Sequence, residues 1–78
     1  MNTNKQEKYD EITDFHEGFA CVRQGDKWGF INQKGEQIIP FLYDDASYFS
    51  EGLALVMKDD KYGYINDKNE TVLPFIYD

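Results

Sequence analysis

Two glutamates, Glu17 and Glu51, each stand directly before a glycine, and paired carboxylates are the residues of this 78-residue chain with the most chemistry open to them. Held about 5–10 Å apart, two such groups hydrolyse glycosidic bonds as acid and nucleophile or base. The plainer role is structural: each carboxylate accepts backbone N–H groups at the bend its glycine makes. We expect that role, because the two residues sit 34 positions apart in matching contexts, which puts a whole structural unit between them. Asp44-Asp45 and Asp59-Asp60 carry the charge for calcium but lack the spaced Asp-x-Asp-x-Asp-Gly loop, so solvated turns are expected. Cys21 and His16 are the sole residues of their kinds, too few for a four-ligand zinc site or a nucleophilic triad. Trp28, Tyr62 and Tyr64 form a candidate platform for a sugar or a Pro-rich peptide. No Gly-rich phosphate loop is present. The residues therefore offer no catalytic, cofactor-binding or metal site, and no enzyme is expected.

Charge narrows the partners. Eight basic residues against fifteen acidic ones give a net charge of −7. Affinity for nucleic acid comes largely from Lys and Arg on phosphates, so DNA, RNA and anionic lipid are all disfavoured. One cysteine allows no internal disulfide, which points to a reducing, cytoplasmic setting, with export open if the chain is part of a longer one. The first eight residues (MNTNKQEK) hold no apolar signal core, and no run is long enough to span a bilayer. Aromatic residues make up 17% of the chain, enough bulk for a core despite a mean hydropathy of −0.69.

The residues singled out recur together. At a shift of 34, Tyr9-Asp10 falls on Tyr43-Asp44 and then on Tyr77-Asp78. Phe15-x-Glu17-Gly18-x-Ala20-x-Val22 falls on Phe49-x-Glu51-Gly52-x-Ala54-x-Val56, and Asp26-Lys27-Trp28-Gly29-Phe30-Ile31-Asn32 on Asp60-Lys61-Tyr62-Gly63-Tyr64-Ile65-Asn66. Lys34, Glu36, Pro40 and Phe41 match Lys68, Glu70, Pro74 and Phe75. Of the 36 aligned pairs, 18 are identical. The chain thus divides into a polar leader (1–8), one repeat (9–42), a second (43–76) and the opening of a third (77–78), within one domain.

What positions these residues is β structure. Each copy has β-branched and aromatic runs of four to six residues bounded by Gly, Asn and Asp, without a sustained helical apolar pattern. Three strands per copy are predicted: Phe19–Arg23, Lys27–Asn32 and Glu36–Pro40, then Leu53–Met57, Lys61–Asn66 and Glu70–Pro74. Gln24-Gly25-Asp26 and Lys58-Asp59-Asp60 make the first connections. Asn32-Gln33-Lys34-Gly35 and Asn66-Asp67-Lys68-Asn69 make the second, with Gly35 or Asn69 at a closing position that needs positive φ. Connections this short impose antiparallel neighbours, so each copy is a three-stranded meander, stacked or self-associating. Pro40 and Pro74 cannot donate to a ladder and should end the third strand or lie on an edge. Residues 41–49 carry the chain onward as a helical turn or a fourth short strand.

Alternation sorts two faces. Ala20, Val22, Gly29 and Ile31 recur unchanged as Ala54, Val56, Gly63 and Ile65, as close sheet-on-sheet contact demands. Phe19, Cys21, Trp28 and Phe30 are exchanged for Leu53, Leu55, Tyr62 and Tyr64, which marks Cys21 as a small core residue. Gly29 and Gly63 lie mid-strand, where a neighbouring aromatic ring is expected against the backbone.

Phe-x-Glu-Gly-x-Ala-x-Val, then Lys-Trp-Gly-Phe-Ile-Asn, Lys-Gly-x-x-Ile-x-Pro and Tyr-Asp resemble the WG repeat, a β-rich tandem repeat common in bacterial proteins. The likeness runs from Tyr9 to Asp78; the second copy departs at Tyr62 for Trp and Asn69 for Gly. The resemblance implies a repeat module without an established catalytic site, with an interaction role. On that view Glu17, Gly18, Trp28, Gly29, Gly35, Pro40, Tyr43, Glu51, Gly52, Tyr62, Gly63, Pro74 and Tyr77 are the structural motif. Tyr9, Tyr43 and Tyr77, each followed by Asp, are expected as inter-repeat staples whose hydroxyls need a partner, with ligand contact the alternative. An unfinished repeat leaves open edges and apolar surface, so the expected partner is a second copy or another protein. Carbohydrate or cell-wall binding is the alternative.

Overall fold

The computed structural model of the chain describes residues 9–77, and among them there is no helix. The leader (1–8) and Asp78 lie outside the described residues. Eight strands follow in order: β1 (Glu11–Ile12), β2 (Phe19–Gln24), β3 (Lys27–Asn32), β4 (Gln37–Tyr43), β5 (Asp45–Ser50), β6 (Leu53–Lys58), β7 (Lys61–Ile65) and β8 (Thr71–Tyr77). They form two antiparallel sheets, β1-β2-β3-β4 and β5-β6-β7-β8. The chain is all-β as expected, but each unit has four strands and not three. The additional strand comes from the region between meanders: Phe41–Tyr43 lengthen β4, and Asp45–Ser50 become β5 with no helical turn.

The reason lies in the Glu-Gly pair. Glu17 (φ 55°) and Gly18 (φ 86°) are both left-handed, as are Glu51 (54°) and Gly52 (81°). Two consecutive residues of positive φ make a type I′ loop, whose twist suits a tight hairpin. His16 and Phe19 accordingly exchange backbone bonds of 2.8 and 3.0 Å across it. The pair turns a strand back on the one before, and a fourth strand is the result.

Pro40 and Pro74 lie inside β4 and β8, both edge strands, and do not end them. Trp28 pairs with Tyr43 and Phe30 with Ile39, so a single residue, Gly29, faces Pro40, Phe41 and Leu42 across a bulge. Tyr62↔Tyr77 and Tyr64↔Leu73 repeat the device around Gly63 and Pro74. A bulge on an edge strand is where a residue without an N–H costs no ladder bond. At Gly63 the close neighbours are the Leu73 carbonyl and the Phe75 ring. At Gly29, against the expected ring, they are the backbone of Ile39 and Pro40, where a Cβ would run into the Ile39 carbonyl oxygen. The second turns form as expected: the Asn32 side-chain oxygen accepts from Lys34 and Glu36 N–H at 3.0 Å each, and Gly35 (φ 82°) and Asn69 (φ 63°) close them.

The core has two parts. Cys21, Phe30, Ile39, Tyr43 and Phe49 pack with Ala54, Val56 and Ile65, joined by Phe19, Trp28 and Phe75. The large-residue face of the first sheet thus meets the small-residue face of the second. The first sheet's own small face, Ala20, Val22 and Ile31, is covered by Tyr9, Ile12 and Phe41. Opposite faces of successive repeats mate, so the contact between them is heterologous, face to back.

Candidate functional site

The boundary between the repeats is built around one ring and one carboxylate. Phe49, on β5, is buried (1% exposed) with its ring centroid 4.9 Å from Phe19 and 4.8 Å from Phe30. Tilted and edge-on contacts of this kind add to the burial of the ring itself. The sequence identified Phe49 with Phe15 but assigned neither a role, because the structure of residues 41–49 was open. Beside it the Glu17 carboxylate accepts from the Glu51 N–H at 2.6 Å and the Gly52 N–H at 2.9 Å. The carboxylate was expected to serve its own bend; it serves the next one. The two Glu-Gly turns, expected a whole unit apart, lie against each other.

This arrangement favours the ionised form of Glu17. The Gly52 amide first, and then that of Glu51, holds its carboxyl below the usual carboxylate value. A general acid for glycoside cleavage needs the opposite shift. Glu17 is therefore a fixed anionic acceptor, and it also explains a non-glycine residue at positive φ where Asn or Asp is the usual choice.

Further contacts cross the same boundary. The Cys21 thiol donates to the Ser47 carbonyl at 3.3 Å, and His16 stacks on Tyr48 with centroids 4.3 Å apart. Tyr43 donates its hydroxyl to Asn69 and lies against Phe75; burial pushes its phenol up. Tyr9 meets Phe41 in the equivalent place. Tyr77 contributes its backbone, paired with Tyr62. The aspartates after Tyr9 and Tyr43 each brace a hairpin: Asp10 accepts from Gly25 N–H (2.7 Å) and Asp44 from Asp59 N–H (3.1 Å). Lys27 pairs with Asp44 and, ahead of the Asp59 amide, holds its carboxyl below the usual carboxylate value. Asp59 and Asp60, both at positive φ, form the β6–β7 turn. Among the described residues no three His, Cys, Asp or Glu side chains gather.

The aromatic platform does not assemble from all three of its members. Trp28 is half-buried against the inter-sheet core, beneath the Arg23 guanidinium at 6.0 Å, and Tyr62 lies in the other sheet. Tyr64 alone lines an open groove, about 370 Å³, with Ser47, Tyr48, Ser50, Glu51, Leu53 and Leu55. Leu53, Leu55 and Tyr64 are the second-repeat counterparts of Phe19, Cys21 and Phe30, the residues that surround Phe49. The groove is the site sequence reasoning missed: alternation supplied its face, while its walls come from β5.

The family model for the WG containing repeat matches the chain three times in succession, over residues 8–28, 28–62 and 62–78. The matches start and stop at Trp28 and Tyr62, so a unit counted from the aromatic-glycine pair straddles the two sheets. No curated protein and no solved structure matches.

Proposed function

Because this chain belongs to the WG containing repeat family, we propose that it is a non-catalytic interaction module, a scaffold that binds protein surfaces through the faces its repeats leave uncovered. The observation that carries this reading is the groove on the outer face of the second sheet, where Leu53, Leu55, Tyr64 and Tyr48 stand beside Ser47, Ser50 and Glu51. Aromatic and aliphatic groups with polar ones beside them are the composition of a protein contact. Tyr48, in its lining, is 54% exposed, and Leu73, the cross-strand partner of Tyr64, is 40% exposed. The Glu17 carboxylate, the strongest candidate for acid–base chemistry, is occupied with two backbone amides.

A photo-crosslinking side chain at Tyr48 tests the proposal. Covalent products with protein, whether a second copy or a different chain, are expected when the module is exposed to the proteins of its own cell. Products with glycan alone, or saturable amide shifts around Tyr64 on titration with cell-wall oligosaccharides, would replace it with the carbohydrate reading.

A further inference from the structure

We propose that two copies of this chain join head to tail, with Phe15 of one seated in the Leu53–Leu55–Tyr64 groove of the other. The proposal rests on the interaction reading and names its partner. Within the chain, Phe49 fills the seat formed by Phe19, Cys21 and Phe30. The repeat relation carries Phe49 to Phe15 and that seat to Leu53, Leu55 and Tyr64. Both halves of the contact therefore occur a second time, unmated. Phe15 is 43% exposed where Phe49 is 1%, and its counterpart's backbone pairing, Phe49↔Ala54, has no equivalent at Phe15. The seat lies open as the groove.

The polar half of the contact is duplicated too. Glu17 accepts from the amides of Glu51 and Gly52. Glu51 lines the groove, and no described residue donates to its carboxylate. On a docked copy the amides of Glu17 and Gly18, which no described group accepts, fall where Glu51 can receive them. Ring and carboxylate thus call for one occupant in one orientation, a second copy's first turn. An interface whose two sides differ does not close after two copies, so it continues as a chain or closes as a larger ring.

The copy-to-copy contact lacks two features of the contact within the chain. Ser50 and Asp14 replace the stacked His16 and Tyr48, and Leu55 has no thiol to donate. Assembly is accordingly weaker than repeat packing, and concentration-dependent.

Sedimentation over a wide concentration range tests this. The expected weight-average mass rises well beyond 9.2 kDa. Phe15→Asp and Leu55→Glu each remain monomeric, having lost opposite ends. Mixed in equal amounts they form a two-chain species and stop, because the good ends pair and the damaged ends cap. Phe15 is exposed enough for its replacement to leave the fold intact, as the amide spectrum will show. Tyr64→Lys serves in place of Leu55→Glu if that variant unfolds. A wild-type mass fixed at one chain, variants that assemble like wild type, or a mixture that stays monomeric overturns the proposal. The crosslink at Tyr48 separates its failure from that of the interaction reading: capture of a different protein ends the self-assembly and leaves the module's role standing.

Discussion

Single residues carry their functions here through space or the lack of it. Gly29 has ordinary negative φ, so alanine is tolerated by its backbone, yet a Cβ there would collide with the Ile39 carbonyl oxygen. Backbone cannot swing aside as a side chain does, and forcing extra bulk into a packed site costs about 1–3 kcal/mol, occasionally more. Gly29→Ala should lose at least about 3 kcal/mol by chemical denaturation, and Gly29→Val should not fold. Gly18 is the converse: φ +86° with nothing within 4 Å. Gly18→Ala should lose only about 1–2 kcal/mol, the cost of a left-handed non-glycine residue. Equal losses at the two sites would contradict the bulge. Cys21 belongs at this scale as well. Burial pushes its thiol up to about 11, and the thiolate is the reactive form. A thiol reagent at pH 8 should leave the folded chain unlabelled and react at once in denaturant.

Among elements, the Glu-Gly hairpin governs both the fold and its pH response. Glu17 has its folded pKa depressed by the Gly52 and Glu51 amides. A depressed carboxylate contributes stability that is fully present above its unfolded value and lost as pH falls through the folded one. Stability should hold level above about pH 5 and decline below about pH 4, with Glu17→Gln showing a shallower decline and a lower plateau. Asp44, depressed by Lys27 and the Asp59 amide, keeps some acid dependence in that variant. An unchanged acid limb in Glu17→Gln would mean that the inter-turn bond is absent in solution. The same hairpin marks the limit of what the residues disclosed. Alternation gave β2, β3, β6 and β7 within a residue or two, because their apolar periods are clean, and the Asn-x-x-Gly turns were legible from side-chain chemistry. The fourth strand was not. A type I′ loop usually announces itself as Asn-Gly, and here a glutamate holds the place because a different repeat needs its carboxylate. Local turn chemistry had been traded for a contact 34 residues away, and local reading could not register it. The groove was lost for the same reason, since β5 supplies its wall.

For the whole molecule, the decisive comparison is between two phenylalanines that sequence alone makes equivalent. Phe49 and Phe15 occupy the same repeat position and follow the same spacing to Glu-Gly, yet one is buried against the sheet of the other repeat and the other is 43% exposed. If successive repeats mate face to back, the cost of deleting each ring measures the presence of the neighbour. Phe49→Ala removes a ring that is 1% exposed, wedged between Phe19 and Phe30. Emptying such a site costs about 3–5 kcal/mol. A domain of this size holds roughly 4–12 kcal/mol in all, so the variant should be partly or wholly unfolded near room temperature. Phe15→Ala, 43% exposed, should lose under about 1 kcal/mol in dilute solution. At high concentration, where copies meet, its deficit relative to wild type should grow, because only the wild-type ring then gains a seat. Thermal denaturation of the three proteins at two concentrations reads both effects. Equal losses for Phe15 and Phe49 would mean that the sheets do not pack on each other as described. A Phe15 deficit independent of concentration would confine the ring's role to a single chain.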